Sequence, residues 1–176
     1  MASSPFKHLS AALVLGTILW AWTVPLFAAI EGSASTFDAI TLERTPCYGT
    51  CPVYRVEVSS DGMVKYEGKS DVAVKGLQTH MVSSSDIDFL REAIKRIHFS
   101  ELRSTYENSN DGCKEVWTDM STITIQTISG SSRKKVIYYV GCRGLSVLGR
   151  IAWLADTIDE VAGTARWVGP RMFGSK

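Results

Sequence analysis

The sequence predicts an α+β domain, with an antiparallel sheet of about five to six strands and two amphipathic helices packed on one face of it. Two observations predict this class. Short segments in which apolar and polar residues alternate recur between turn-rich segments, as in half-buried strands. Two longer segments carry apolar residues at helical spacing and interrupt the strands, which gives the order βββ(β)αββα.

The first three strands include a hairpin whose register can be predicted. A strand over residues 40–44 leads into a loop with two cysteines, and the next two strands cover residues 54–58 and 63–68. A two-residue turn would place Val58 opposite Lys65 and mix apolar with charged groups on one face. A three-residue turn, residues 60–62 with a left-handed glycine, keeps the two faces distinct. It pairs Val58 with Val64, Val56 with Tyr66, Glu57 with Lys65 and Arg55 with Glu67.

The first helix is predicted over residues 85–98, after a further strand over residues 72–82 that Gly76 breaks. Three serines, residues 83–85, offer N-caps, and Ser85 with Asp88 has the spacing of a capping box. His98 is expected to cap the other end, where the helix dipole favours a basic group. The apolar stripe that would face the sheet consists of Ile87, Leu90, Ile94 and Ile97.

The second half of the chain repeats this arrangement after a long loop over residues 100–120, which a disulfide at Cys113 would tether. Alternation predicts a second hairpin with strands over residues 122–128 and 134–140. The last helix is predicted over residues 145–162, with Gly163 as its C-terminal cap.

The N-terminus predicts export. Lys7 precedes a segment, residues 9–30, without any charged residue, which is the layout of a signal peptide. As a helix its 22 residues would reach roughly 33 Å, so an uncleaved membrane anchor is the alternative. We predict a signal peptide or anchor over residues 1–29, a short linker over 30–39, a single domain over 40–169 and a tail over 170–176. The domain is expected to be periplasmic or secreted, or else to lie outside the cytoplasm on an inner-membrane anchor.

The charge balance excludes one class of partner. Without the first 29 residues, the Lys and Arg count falls from 19 to 18 and equals the 18 Asp and Glu residues. A domain with no net charge gives no electrostatic reason to expect nucleic-acid binding.

All four cysteines lie in the exported part, and an even number in an oxidising compartment predicts two disulfides. Three pairings can be drawn. We favour Cys47–Cys51 and Cys113–Cys142, because the short loop already holds the first pair close. The chain-entropy model gives about 3.6 kcal/mol for the 30-residue loop and about 2 kcal/mol for the 5-residue loop, so the second pair is expected to stabilise the fold more.

One hypothesis for the segment from Cys47 to Cys51 is that it forms the active centre of a thiol–disulfide enzyme. Thiol–disulfide enzymes commonly place a C-x-x-C pair at a helix N-terminus, which lowers the pKa of the reactive thiol. Here three residues separate the cysteines, prolines flank both, and a strand follows. The pattern favours a structural or recognition loop, and a thiol–disulfide oxidoreductase that uses Cys47 and Cys51 is the alternative.

Other chemical sites are disfavoured. A zinc site needs a second close cysteine pair, which Cys113 and Cys142 do not form. A base for a cysteine nucleophile would have to be His80 or His98, and each has a simpler place in a strand or at a helix end. No catalytic, metal or cofactor site is predicted. An acidic cluster in the long loop does not fit an EF-hand, and three tryptophans are expected to pack in the core or tail: Asp111, Glu115 and Asp119; Trp117, Trp153 and Trp167.

The residues around the cysteine loop resemble a known family. The stretch from Thr41 to Tyr54, with its core Pro-Cys-Tyr-Gly-Thr-Cys-Pro-Val-Tyr, is similar to the bacterial family termed domain of unknown function 6438. Asp61-Gly62, Tyr66-Glu67-Gly68 and the ending from Ala162 to Gly169 extend the likeness over residues 40–169. The resemblance implies an exported or lipoprotein-like protein. It also supports the pairing of Cys47 with Cys51 and of Cys113 with Cys142. It implies no activity, substrate or catalytic residue, and this chain has no cysteine placed for lipid attachment.

The leading functional prediction is a non-enzymatic module of the cell envelope, stapled by two disulfides, that binds an envelope protein or a cell-wall component. The candidate recognition loop is the segment between the first two cysteines, Tyr48, Gly49 and Thr50.

Overall fold

A computed structural model describes residues 37–169 of the 176-residue chain. The predicted signal peptide or anchor over residues 1–29, the linker as far as residue 36 and the tail over 170–176 lie outside the described residues. Among residues 37–169, no helix is both long and apolar enough to cross a membrane.

The described part of the chain forms an α+β fold, as predicted. Its strands are β1 (Ala39–Arg44), β2 (Val53–Ser59), β3 (Met63–Ser70), β4 (Gly76–Met81), β5 (Thr105–Tyr106), β6 (Glu115–Val116), β7 (Thr122–Ser129), β8 (Ser132–Tyr139) and β9 (Cys142–Arg143). Its helices are α1 (Ser84–Arg96), α2 (Val147–Ala162) and α3 (Ala165–Val168), with 3₁₀ turns at Phe99–Glu101 and Ser109–Asp111.

The main sheet has seven strands in the order β4-β3-β2-β1-β7-β8-β5, which is larger than the five to six predicted. The additional strand, β5, comes from the predicted loop over residues 100–120 and pairs in parallel with β8. A separate two-stranded sheet joins β6 to β9. Strands of two residues show no alternation, so periodicity could not predict them.

One face of the sheet carries the core. The predicted three-residue turn is confirmed, with Gly62 at φ 90° and Val58 paired with Val64. The same register continues through β1 and β7, so that Ile40, Leu42 and Ile125 fall on the buried face together with β2. Helix α2 packs against β1 and β2, and α1 packs against α2. The buried side chains of both helices and of this sheet face form one apolar core.

The N-cap of helix α1 lies two residues before the predicted one, and the helix begins at Ser84. Ser83 is the N-cap: its hydroxyl accepts from the Asp86 N–H, and the Asp86 carboxylate accepts from the Ser83 N–H. The predicted pair Ser85 and Asp88 is therefore wrong, because the chain turns helical as soon as Ser83 can cap it. The helix ends at Arg96, and His98 lies beyond it in a left-handed conformation (φ 53°), so His98 does not cap α1 as predicted.

The predicted start of the fourth strand is wrong, and the predicted end of the last helix is confirmed. The strand predicted over residues 72–82 begins only at Gly76, because Ala73 and Val74 donate their N–H groups to the segment after α2 instead of to a strand. Helix α2 does end as predicted, with Gly163 left-handed (φ 60°) and its N–H bonded to the last turn.

Candidate functional site

The Cys47–Cys51 loop connects two antiparallel neighbours. β1 ends at Arg44 and β2 begins at Val53, with Arg44 opposite Tyr54 in the ladder. Residues 45–52 therefore project from one end of the sheet as a closed bend. The predicted pairing is confirmed: Cys47 is bonded to Cys51, with 5.7 Å between their Cα atoms, and Cys113 to Cys142, with 5.3 Å.

The tip of this loop faces solvent. Tyr48 exposes 89% of its surface, and Gly49 and Thr50 are also exposed, whereas both cysteines are half-buried. The Tyr48 ring therefore makes little contact with the rest of the described residues and is accessible from solvent.

The segment over residues 119–122 forms hydrogen bonds with the Cys47–Cys51 loop. The Tyr48 N–H donates to the Asp119 carbonyl at 2.9 Å, which fixes the loop backbone although the ring is free. At the base of the loop, Thr45 and Thr122 exchange two bonds: the Thr45 N–H donates to the Thr122 carbonyl (3.1 Å) and the Thr122 N–H to the Thr45 hydroxyl (2.8 Å). The loop is therefore hydrogen-bonded to residues 119–122 at its tip and at its base.

The neighbouring segment presents Trp117. Its indole is 55% exposed, so the prediction that Trp117 packs in the core is wrong, while Trp167 is buried as expected and Trp153 half-buried. The Arg143 guanidinium lies 4.4 Å from the centroid of the Trp117 ring, a cation–π contact that holds the indole at the surface. Exposed Val116 precedes it on β6.

The Cys113–Cys142 disulfide fixes this second segment. β6 pairs with β9, which contains Cys142, and the Trp117 N–H donates to the Gly141 carbonyl at 2.9 Å. A Cβ atom on Gly141 would lie 2.0 Å from the Trp117 carbonyl oxygen, so only glycine permits this approach. We use the name loop surface for four exposed residues: Tyr48 and Thr50 on the loop, and Val116 and Trp117 on the segment that is hydrogen-bonded to the loop through Asp119.

A buried polar cluster lies at the base of the same loop. The Asp159 side chain is fully buried and accepts four hydrogen bonds. Arg44 donates to its Oδ2 from Nη2 (2.8 Å) and Nε (3.1 Å), the Tyr54 hydroxyl donates to Oδ1 (2.7 Å), and the Thr164 hydroxyl donates to Oδ1 (2.8 Å). Arg44 also reaches the exposed Asp156 at 3.1 Å. We call Arg44, Tyr54, Asp159 and Thr164 the anchor cluster.

The electrostatics of the anchor cluster follow from burial and from one negative charge. Burial raises the pKa of the Tyr54 hydroxyl, and the Asp159 carboxylate raises it further. Burial alone would lower the pKa of Arg44, but the attraction of Asp159 outweighs it and the pKa is raised. The cluster therefore stays an ion pair with a neutral tyrosine, which suits it to hold a helix on a sheet.

An aromatic stack continues from the cluster towards the sheet edge. The rings of Tyr54 and Tyr66 lie 5.5 Å apart, Tyr66 stacks on Trp167 at 4.9 Å, and His80 meets Trp167 edge-on at 5.3 Å. Nε2 of His80 is 2.8 Å from the Ala162 carbonyl oxygen. His80 is thus engaged with the end of α2 and is not a base beside a cysteine.

The remaining candidate groups are occupied within their own segments. The Asp111 carboxylate accepts from the Glu107 N–H (2.8 Å), which contributes most to its lowered pKa, and from the Thr105 hydroxyl (2.9 Å). All cysteines of residues 37–169 are in disulfides, and in that range no three His, Cys, Asp or Glu side chains are grouped to hold a metal ion.

The fold and its loop define an α+β domain whose central hairpin is closed by a disulfide and whose second disulfide supports the adjacent segment. The chain belongs to the family described as Domain of unknown function (DUF6438), whose model matches residues 38–162. The resemblance seen in the sequence is thereby confirmed, although the similar ending after Ala162 lies beyond the matched region. No curated protein matches the chain.

Sequence reasoning found the loop but not the anchor cluster. Arg44 and Tyr54 flank the cysteines and were included in the resemblance, yet their partner Asp159 lies 115 and 105 residues further along. One signal was available. Asp159 follows Ile158 on α2 and lies at helical spacing from Ala155 and Ala162, so the carboxylate falls on the buried stripe.

Proposed function

We propose that this protein is an exported, non-enzymatic binding module of the cell envelope and that the loop surface is its recognition site. The observation that carries the proposal is the 89% exposure of Tyr48 on a loop whose backbone is held by a disulfide and by Asp119. Two disulfides are typical of domains outside the cytoplasm, which supports the export part of the proposal.

The loop surface has the composition of an interaction hot spot. Tyrosine and tryptophan contribute large apolar area and a polar group each, and they dominate binding energy at protein interfaces. Tyr48 and Trp117 are among the most exposed large side chains of the described residues, and two disulfide-linked segments present them. Because the backbone of the surface is already ordered, a partner that docks there orders little additional chain.

The proposal is tested by crosslinking in intact cells of the source organism, followed by capture of the full-length protein. Tyr48→Ala combined with Thr50→Ala, and separately Trp117→Ala, should each reduce a specific crosslinked partner about tenfold or more, as expected for hot-spot residues. The matched control is Phe89→Ala, which removes an exposed aromatic ring from α1, outside the loop surface. Partners that all three variants capture equally would contradict the proposal.

The reduction potential of the Cys47–Cys51 pair in the wild-type protein distinguishes a binding loop from a thiol–disulfide enzyme. A structural disulfide has a reduction potential below about −300 mV, whereas catalytic pairs lie well above it. We expect the Cys47–Cys51 pair to fall in the structural range. N-terminal sequencing of the exported protein checks localisation and tells a cleaved signal peptide from an anchor.

A further inference from the structure

Strand β4 forms an unusual edge of the main sheet. Among residues 37–169 it pairs with β3 on one side and with no strand on the other. Sheet edges are commonly protected by being very short, by proline or lysine, or by a covering segment. The opposite edge strand, β5, has only two residues, whereas β4 has six and contains no proline, Asp, Glu, Lys or Arg.

The backbone groups that β4 directs outward can be assigned. The Val82 N–H donates to the Gly62 carbonyl at 2.9 Å, which continues the ladder in which Met81 is opposite Met63. Backbone groups alternate in direction along an antiparallel strand. Those of Gln78 and His80 therefore point to β3, and those of Leu77, Thr79 and Met81 point outward.

The outward residues also carry the exposed side chains of the strand. Leu77 exposes 75% of its surface and Met81 57%, and Thr79 lies exposed between them. All three are on the sheet face opposite the helices, because Gln78 and His80 alternate with them on the core side. An uncovered strand with apolar side chains at both ends is a template for a further strand.

We propose that β4 pairs antiparallel with β4 of a second copy of this chain, in a register centred on Thr79. In this register Thr79 lies opposite Thr79 of the second copy, and Leu77 lies opposite Met81 of the second copy, at both ends. Every outward backbone group of Leu77, Thr79 and Met81 then has a partner, including the Met81 carbonyl, which contacts His80 Nδ1 at 3.2 Å and has a second acceptor position. The two sheets become one continuous sheet.

The composition of β4 suits this register. The strand contains no Asp, Glu, Lys or Arg, so pairing it with a second copy brings no like charges together. The register also places the exposed apolar side chain of Leu77 beside that of Met81 of the second copy at both ends of the ladder.

The register is tested with a single new cysteine in the full-length chain. Opposed residues of a hydrogen-bonded antiparallel pair have Cα atoms about 5.5 Å apart, a spacing that a disulfide spans. Thr79→Cys should give a dimer on oxidation, with a peptide map showing a link from position 79 to position 79 and both native disulfides intact. The matched control is Lys135→Cys, an exposed position on β8 near the opposite side of the sheet, which should not crosslink. Absence of the 79–79 link, or equal linking at position 135, overturns the proposal.

A charge exchange tests the pairing without a covalent bond. Leu77→Lys with Met81→Lys opposes two lysines at each end of the ladder and should weaken self-association on the order of tenfold. Leu77→Lys with Met81→Glu opposes lysine to glutamate in this register and should keep the wild-type association. Both double variants keep the apolar N-terminal segment, so sedimentation in the same detergent compares β4 alone. Equal association of the two variants, or a monomeric wild type, overturns the proposal.

Discussion

The hairpin of β1 and β2 contributes residues to both the anchor cluster and the loop surface, and their environments differ. Tyr54 is buried and Arg44 half-buried at the two ends of the loop, and both donate hydrogen bonds to Asp159. Tyr48 and Thr50, between them, are exposed to solvent. This difference indicates that the ends of the loop connect the sheet to α2, whereas the tip remains available to a partner. Stability and recognition should therefore respond to different substitutions.

The largest expected effect comes from the centre of the anchor cluster. Asp159→Ala leaves the Arg44 guanidinium without its buried counter-ion and should lower the free energy of unfolding by about 3–5 kcal/mol. The matched control is Asp156→Ala, which removes the 62%-exposed partner of the same arginine and should cost about 1 kcal/mol or less. Urea unfolding of the full-length protein measures both. Similar losses for the two variants would show that burial of Asp159 does not matter and would remove the basis of the comparison.

The two disulfides should differ in the same sense. Replacing Cys113 and Cys142 by alanine opens a 30-residue loop and should cost about 3.6 kcal/mol, whereas replacing Cys47 and Cys51 opens a 5-residue loop and should cost about 2 kcal/mol. Both Cys113 and Cys142 are buried, so replacing them should lower the free energy of unfolding further. Unfolding midpoints of the two double variants give the order. A larger loss from the Cys47 and Cys51 pair would mean that this loop stabilises the fold more than it shapes a surface.

The local features were predictable from the sequence because their causes are local. The hairpin register depends on whether apolar residues share a face, and a three-residue turn was the solution that kept them together. The cap at Gly163 depends on the left-handed conformation that glycine adopts without strain. The disulfide pairing also rested on local evidence, since the five-residue loop already holds Cys47 near Cys51.

The features that sequence missed depend on distant contacts. Trp117 looked like a core residue by type, but Gly141 draws its backbone into a two-stranded sheet and Arg143 holds its ring outside. β5 was missed because a two-residue strand exists only through its partner β8. Asp159 could be placed on the buried face of α2 but not matched to Arg44, because several cations of the chain were equally eligible partners.

The smallest expected effect is a fall in the free energy of unfolding at alkaline pH. Buried tyrosines should contribute to this fall and exposed tyrosines should not. Burial, with a further contribution from Asp159, raises the pKa of Tyr66 to about 12 from 10.0, and the pKa of Tyr54 is raised as well. Since the folded state holds these protons more tightly, their stabilisation is complete below the unfolded pKa near 10 and is lost as pH rises towards the folded value. The free energy of unfolding should fall by at most about 1.4 kcal/mol per pH unit for each such tyrosine.

Tyr66→Phe should remove one of these contributions, because its hydroxyl makes only a long bond (3.5 Å) to the Val74 carbonyl. The decline of stability above pH 10 should then be shallower than in the wild type. Tyr48→Phe is the matched control, since the Tyr48 ring is exposed and its substitution should leave the slope unchanged. The measurement is urea unfolding at several pH values between roughly 9 and 11, the range around the reference tyrosine pKa. Equal slopes for all three proteins would show that the alkaline transition does not arise from the aromatic stack beside the anchor cluster.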